Sequence, residues 1–232
     1  MYELKTRIRF SETDSSGKLT INGLINYFQD VSTFHSEGTD FGIESLKAEN
    51  IGWMIFSWDI KINRLPKLCD EVVIQTKSVG FKGLFAFRDF IMKENDEVLA
   101  MAHSVWSIID LDRMLPKKIT PEMMEQYGKE DPLPGEWFER KLNEPKEKEL
   151  VESAKIERYH LDTNGHMNNQ YYVDFALSAI SDKLDINRVR VSYKHQVVLG
   201  ENVDIYLGKD DEETKRVTLE KDGTTCAVIC FN

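Results

Sequence analysis

The chain contains an internal repeat, and this repeat constrains the fold more than any other feature of the sequence. Residues 14–19, Asp-Ser-Ser-Gly-Lys-Leu, recur as residues 162–167, Asp-Thr-Asn-Gly-His-Met. A strongly apolar stretch follows each copy, at 24–34 and again at 172–180, and each stretch is long enough for a helix that is buried on much of its circumference. The repeat therefore predicts two copies of one structural unit.

The segments that follow each helix also correspond. Apolar residues alternate with other residues along 60–64 and 68–74 in the first copy, and along 191–195 and 199–205 in the second. A period of two predicts strands. Each copy then continues into a hairpin, and the Asp222-Gly223 turn of the second hairpin is a strong signal for one.

Each copy is thus predicted as a strand, a loop, a long helix and several antiparallel strands. One helix shields such a sheet best when the sheet wraps around it, so we expect an α+β fold of two tandem units, each an antiparallel sheet around a long central helix. We assign residues 1–130 to the N-terminal unit, 131–153 to a linker and 154–232 to the C-terminal unit. The prolines and mixed charges of the linker predict a connecting segment, in which we expect a helical piece.

Composition and charge narrow the function classes. Forty acidic residues against thirty Lys and Arg give a net charge of -10, which argues against nucleic acid or an anionic membrane as the main partner. The longest uncharged stretch, 98–109, is shorter than the ~20 residues that a bilayer crossing needs. The N-terminus has no apolar signal region, and the cysteines at 69, 226 and 230 lack zinc-type spacing, so we expect reduced thiols in a cytoplasmic protein.

The two copies differ at the loop before the helix. The first loop carries Asp14, Ser16 and Lys18, and the second carries Asp162, Asn164 and His166 at the same spacing. A shared turn explains the Asp and the Gly common to both copies. It does not explain the amide and the imidazole of the second copy, since histidine titrates near neutral pH and asparagine is a neutral donor. We therefore expect the second copy to be active and the first to be scaffold.

The second loop lies just ahead of a predicted helix N-terminus, where unpaired N–H groups would stabilise the oxyanion of a reacting carbonyl. The structural alternative is that Asn168 or Asn169 only caps the helix and that His166 only bonds within the loop. We interpret the other histidines as structural: His35, His103, His160 and His195. No metal or cofactor motif occurs, so we expect neither group.

These residues resemble the acyl-acyl carrier protein thioesterases. The resemblance rests on the motif D-x-N-G-H-x-N-N at 162–169, the strand at 51–58 and the segments at 68–76 and 102–110, and it extends over nearly the whole chain. It implies two tandem hotdog units, in agreement with the repeat. The missing transit peptide makes the chain similar to a bacterial member of the family.

The resemblance implies hydrolysis of the thioester that joins a fatty acyl chain to the phosphopantetheine arm of acyl carrier protein. The family's catalytic Asp, Asn and His match Asp162, Asn164 and His166. Plant members also carry a Glu-Cys pair that falls here on Gln196 and Val197, so a cysteine nucleophile is not expected. We expect direct attack by water, with Asp162 or His166 as general base, Asn164 at the oxyanion and Gln196 positioning the water.

The first unit would supply the acyl tunnel, from the helix at 22–34 and the strand at 53–58. Docking of the acidic carrier needs local cations, and the candidates are Arg7, Arg9, Arg64, Lys67, Arg188, Arg190 and Lys194. The alternatives are an acyl-CoA thioesterase of the same fold, a hotdog hydratase or dehydratase, and a non-catalytic acyl-binding module. The tandem repeat imitates a dimer, so a monomer and a homodimer both stay open.

Overall fold

Both copies of the repeat fold into the same order of elements in the computed structural model, which describes residues 1–138, 141–180, 184–209 and 214–232. The chain divides into two units, Met1–Glu139 and Arg140–Asn232. None of the helices in these described ranges has the length and apolar character that crossing a bilayer requires.

The first unit carries the longer set of elements. In chain order these are β1 (Tyr2–Arg7), a 3₁₀ helix (Phe10–Glu12), α1 (Ile21–Glu37), α2 (Ile43–Ala48), β2 (Ile51–Ile62), β3 (Glu71–Lys82), β4 (Phe85–Glu94), β5 (Glu97–Asp110), β6 (Leu115–Lys117) and α3 (Pro121–Tyr127). The strands pair antiparallel in the order β1-β3-β4-β5-β2, and β6 pairs with the end of β5.

The second unit repeats the plan without counterparts of α2, β6 and α3 among its described residues. Its elements are β7 (Lys148–Lys155), a 3₁₀ helix (Arg158–His160), α4 (Asn169–Ser178), β8 (Arg188–Tyr193), β9 (Asn202–Gly208), β10 (Lys215–Lys221) and β11 (Thr224–Phe231). The strands pair antiparallel in the order β8-β11-β10-β9-β7, and α4 contacts β10 and β11. The predicted α+β architecture of two units is confirmed.

Helix α1 is stabilised both by a cap at its N-terminus and by an apolar face that is buried. The Thr20 side chain accepts the N–H of Gly23 at 2.9 Å, which satisfies one unpaired donor of the first turn. The buried face of the helix includes Leu24, Ile25, Phe28 and Val31, all fully buried. Phe28 packs on Trp58 of β2 and Phe90 of β4, with ring centroids 6.2 and 5.2 Å apart. Burial of each such side chain contributes about 1.5–3 kcal/mol.

The expected helical piece in the linker is wrong for the described residues of 131–153. Residues 148–155 form strand β7, which pairs with β9, and the described residues before it are irregular. Pro132, Pro134 and Pro145 each remove a backbone donor that a helix would need. Helix α3 begins at a cap, because the Thr120 side chain accepts the N–H of Met123 at 3.2 Å. The Asp222-Gly223 hairpin is confirmed.

A short segment of the first unit, residues 131–138, is fastened to the sheet by buried carboxylates, and we call it the strap. The N–H of Leu133 donates to Oδ2 of Asp89 at 2.7 Å, and the N–H of Phe138 donates to Oδ2 of Asp59 at 2.6 Å. Both carboxylates are fully buried. They lie on the face opposite α1, since their chain neighbours in β2 and β4 pack against that helix.

His103 lies between these two carboxylates. It is directly opposite Asp59 and Asp89 in the strand register, and its Nδ1 is 2.6 Å from Oδ1 of Asp89. Its ring stacks on Phe87 and on Trp137 of the strap, with centroids 5.9 and 6.0 Å apart. The strap thus covers a buried ionisable cluster and completes its hydrogen bonds, which explains its irregular path.

On the inner face of the same sheet, a buried arginine bonds to a histidine. Nη1 of Arg88 is 2.9 Å from Nδ1 of His35 and 3.2 Å from Oγ1 of Thr76. Since the guanidinium only donates, Nδ1 of His35 accepts and its ring is neutral. Burial, together with the nearby positive charge of Arg88, lowers the pKa of His35 to about 4.

We expect Asp89→Ala to destabilise the protein by about 3 kcal/mol or more, because it leaves the His103 ring and the Leu133 N–H without their buried acceptor. Chemical denaturation measures the loss. Asp131→Ala, which removes an exposed carboxylate of the strap, is the matched control and should change stability by less than about 0.5 kcal/mol. Equal unfolding midpoints for the two variants would contradict the structural role of Asp89.

Stability should also fall as the pH drops from about 6.5 towards about 4 through His35. In this window the unfolded chain protonates His35 and the folded chain does not, so acid favours unfolding. His35→Gln keeps an acceptor for Arg88 without a titrating ring. The variant should therefore lose less free energy of unfolding than the wild type between these two pH values, and an identical loss would refute the assignment.

Candidate active site

The loop at 162–167 is a closed turn built by the carboxylate of Asp162. Its Oδ1 accepts the N–H groups of Asn164 at 2.8 Å and His166 at 3.1 Å, and the N–H of Asp162 donates to the carbonyl of His166 at 2.8 Å. Gly165 closes the turn at a φ of 78°, where a side chain would be strained. The turn brings Asp162, Asn164 and His166 together on one short piece of backbone.

The first unit contains the same turn with different side chains. Oδ1 of Asp14 accepts the N–H groups of Ser16 at 2.8 Å and Lys18 at 3.1 Å, and Gly17 has a φ of 75°. The hydrogen bond from the Ser16 hydroxyl is the main cause that lowers the pKa of Asp14. The interpretation of the shared Asp and Gly as turn residues is confirmed.

Within the described residues, His166 is the one histidine whose ring makes no hydrogen bond, ion pair or ring contact, and the amide of Asn164 likewise has no partner. Asn164 is exposed and His166 is half-buried. The other histidines have these partners: His35 with Arg88, His103 with Asp89, His160 with Glu157 and His195 with Thr225. The two side chains that distinguish this turn from the first copy, Asn164 and His166, are therefore both without a partner in the described part of the chain.

Asn168 provides the cap of α4. Its side chain accepts the N–H of Gln170 at 3.3 Å, and its own N–H donates to the carbonyl of His160 at 2.8 Å. Asn168 is therefore the residue that caps the helix, as the structural alternative expected of Asn168 or Asn169. Capping leaves Asn164 and His166 unexplained, because neither side chain takes part in it.

The segment that carries Gln196 runs beside the turn. The N–H of Met167 donates to the carbonyl of Val197 at 2.8 Å, and His166 forms a β-bridge with Val198. Gln196 immediately precedes these two residues and is half-buried. The structure thus places Gln196 on the strand-like neighbour of the turn.

Two tyrosines hold this segment against helix α4. The hydroxyl of Tyr172 donates to the carbonyl of His195 at 3.3 Å, and the hydroxyl of Tyr193 donates to the carbonyl of Asn169 at 3.0 Å. Burial raises the pKa of both hydroxyls well above the usual range, so they remain donors at neutral pH. They therefore keep Gln196 in one place relative to the turn.

His160 holds the backbone on the N-terminal side of the turn, a role that the sequence did not indicate. Its Nδ1 accepts the N–H of Glu157 at 3.0 Å, and burial lowers its pKa. Its ring contacts Tyr159, Tyr171 and Phe175. In the first unit Glu12 fills the same position and accepts the N–H of Arg9 at 3.1 Å. Extending the repeat alignment by a few residues towards the N-terminus would have revealed this role.

Most of the cations expected to dock an acidic partner are paired with carboxylates. The ion pairs are Arg7 with Glu71, Arg9 with Glu12, Arg64 with Glu94 and Glu97, and Lys194 with Glu144. Arg190 donates to Asn232 at 2.5 Å. These pairs offset much of the positive charge on which the docking prediction relied. Among the described residues, no group of three or more His, Cys, Asp or Glu side chains is arranged to hold a metal ion.

Comparison with known proteins assigns the chain to a family. A model of the acyl-ACP thioesterase N-terminal domain, where ACP is acyl carrier protein, matches residues 1–127. A model of the acyl-ACP thioesterase C-terminal domain matches residues 143–228. The chain belongs to the acyl-ACP thioesterase family. The resemblance carried by the motifs is thereby confirmed.

Relatives from plants share the family at low identity. The chloroplastic oleoyl-acyl carrier protein thioesterase of Coriandrum sativum is 23% identical over 244 residues, which cover 94% of this chain and 65% of the relative. The chloroplastic oleoyl-acyl carrier protein thioesterase 1 of Arabidopsis thaliana is 23% identical over 226 residues, which cover 88% of this chain and 62% of the relative. The chain thus spans less than two thirds of the length of either plant protein.

Solved structures of acyl-ACP thioesterases share the fold. The acyl-ACP thioesterase of Bacteroides thetaiotaomicron superimposes with a TM-score of 0.88 at 22% identity, covering 99% of this chain and 96% of the other. The 12:0-ACP thioesterase of Umbellularia californica gives a TM-score of 0.83 at 15% identity, covering 100% and 96%. At these identities the likeness establishes the fold, and the predicted tandem hotdog architecture is confirmed.

We expect Asp162→Ala to destabilise the second unit by about 1–2 kcal/mol, because two backbone N–H groups lose their acceptor. Asp14→Ala should cause a similar loss, since that carboxylate closes the same turn. Asp162→Asn keeps an oxygen acceptor and should remain within about 1 kcal/mol of the wild type. Urea denaturation compares the variants, and wild-type stability of Asp162→Ala would contradict the turn-closing role.

Proposed function

We propose that the chain is a thioester hydrolase that cleaves fatty acyl-acyl carrier protein into a free fatty acid and the carrier protein by direct attack of water. One observation carries this proposal: the imidazole of His166 and the amide of Asn164, neither of which has a partner among the described residues, share one turn ahead of helix α4. Membership of the acyl-ACP thioesterase family supports the reaction class. We assign the reaction to the C-terminal unit, 154–232, and the acyl pocket to the N-terminal unit, 1–130, with the linker at 131–153.

His166 is the better of the two candidate bases. One oxygen of Asp162 already accepts two backbone N–H groups, whereas the ring of His166 makes no hydrogen bond within the described residues. The imidazole takes a proton from water while the water oxygen bonds to the thioester carbon. The tetrahedral intermediate then collapses, the C–S bond breaks, and the imidazolium returns the proton to the departing sulfur.

The oxyanion of the intermediate needs donors, and Asn164 with nearby backbone N–H groups would supply them. Gln196 lies on the segment beside the turn and orients the attacking water, since an amide can position water but cannot accept its proton. Cys226 is buried, and burial raises the pKa of its thiol to about 11, which supports a mechanism without a cysteine nucleophile.

We expect Asn164→Ala and His166→Ala each to lower kcat by on the order of 10²-fold or more while the protein stays folded. The matched controls are Ser16→Ala and Lys18→Ala at the equivalent positions of the first turn, which should leave kcat within about twofold. Release of the carrier thiol, read with a chromogenic reagent, measures turnover. Equal losses in both turns, or none in either, would reject the assignment of chemistry to the second copy.

The same assay separates the alternatives. The proposal requires a higher kcat/KM for acyl-acyl carrier protein than for acyl-CoA with the same acyl chain. A faster reaction with CoA indicates a CoA thioesterase, and bound acyl groups without thiol release indicate a binding module. Loss of water from, or addition of water to, an intact thioester indicates a dehydratase or hydratase.

We also propose a cytoplasmic location and keep a homodimer as the assembly to test. The thiols of Cys226 and Cys230 are buried and unbridged, which suits a reducing compartment. Strand β7 lies at an edge of its sheet and exposes Leu150 and Val151, an arrangement that favours strand pairing between two copies. Sedimentation equilibrium distinguishes the homodimer from the monomer.

A further inference from the structure

A row of polar side chains crosses the inner face of the first sheet. Trp58 on β2 is opposite Ser104 on β5, Ser104 is opposite Arg88 on β4, and Arg88 is opposite Ser78 on β3. Directly opposed residues share one face of a sheet, and Trp58 packs against Phe28 of α1, so this face looks towards the helix. The row is buried, with Trp58 and Ser104 at 0%, Ser78 at 4% and Arg88 at 8% exposure.

Two members of the row have no acceptor. Within the described residues, neither Nε1 of Trp58 nor Oγ of Ser78 has a hydrogen-bond partner. Between them, the Arg88 side chain donates to the neutral side chains of His35 and Thr76 and lies 5.5 Å from the centroid of the Tyr127 ring, and no described carboxylate lies within ion-pair distance of it. Buried donors without acceptors are unfavourable and call for an explanation.

A nearby indole shows that this chain can satisfy such a donor when no ligand is involved. Trp106 belongs to the same cluster of aromatic rings as Trp58, with centroids 6.2 Å apart. Its Nε1 donates to Oγ of Ser104 at 2.6 Å, and the Ser104 hydroxyl in turn donates to the carbonyl of Arg88 at 3.1 Å. Ser104 is therefore satisfied within the protein, and among the described members of the row Trp58 and Ser78 are left without an acceptor.

We infer that the interior of the first unit accepts acyl chains that carry an oxygen acceptor away from the thioester, and that the indole N–H of Trp58, which has no acceptor within the described residues, donates a hydrogen bond to this oxygen. The inference deepens the proposed function and rests on it, since it names the class of acyl group. A plain hydrocarbon chain would leave the Trp58 N–H unpaired, whereas a hydroxyl, keto or carboxylate oxygen would pair it. A site built to bond a polar group discriminates strongly against the analogue that lacks it.

The test compares acyl chains of one length on the carrier protein. The panel contains the unsubstituted chain, chains with a hydroxyl at successive positions, a keto chain and a chain that ends in a carboxylate. We expect at least one oxygen-bearing chain to exceed the unsubstituted chain in kcat/KM by about tenfold or more, and Trp58→Phe to reduce this ratio to near unity. Trp106→Phe is the matched control, because its N–H is bonded within the protein, and it should keep the wild-type ratio.

Equilibrium binding separates a failure of this inference from a failure of the proposed function. Free fatty acids from the same panel, hydroxylated or plain, are titrated against the full chain by calorimetry, a readout that needs no hydrolysis. Tighter binding of a hydroxylated acid, lost in Trp58→Phe, supports the donor row even if no thioester is cleaved. Preference for the plain acid over every oxygen-bearing one, or a preference that survives Trp58→Phe, overturns it.

Discussion

A carboxylate oxygen that accepts two backbone N–H groups is the interaction on which both units depend. In each copy it closes the turn that aims the chain into the central helix, through Asp14 and through Asp162. The residue after each turn then donates to the next long loop, Leu19 to Pro66 and Met167 to Val197, both at 2.8 Å. One local motif thus sets where the helix begins and which later segment lies beside it.

The two copies have since diverged around this common frame. The second copy carries at its turn an imidazole and an amide that have no partner in the part of the chain that the structure describes. The first copy adds α2 and α3, and it places buried polar groups on both faces of its sheet. Because the frame rests on Asp and Gly alone, the other positions of the turn can differ between the two copies without loss of the fold.

The parts of the structure that follow from local rules could be predicted from sequence. The turns, the helices, the capped start of α3 and the Asp222-Gly223 hairpin depend on residues close together in the chain. The cluster of Asp59, Asp89 and His103 could not be predicted, because it depends on strand register between distant segments. The helix expected in the linker fails for the same reason: distant carboxylates fix the path of the strap. The roles proposed for Asn164 and His166 rest on the motif, and the role proposed for Gln196 rests on the family resemblance. The pairing of Arg64 and Lys194 with acids follows from neither.

The strap also bears on how the protein can be divided. Its backbone N–H groups donate to the buried carboxylates of Asp89 and Asp59 in the first sheet. A fragment that stops at residue 130 would leave both carboxylates without these donors and without the segment that covers them. A fragment intended to fold by itself should therefore extend through residue 138, and chimaeras with related enzymes should be joined beyond that point. The stretch between the two halves of the sequence is in this sense a structural part of the first half, and recombination within it would be selected against.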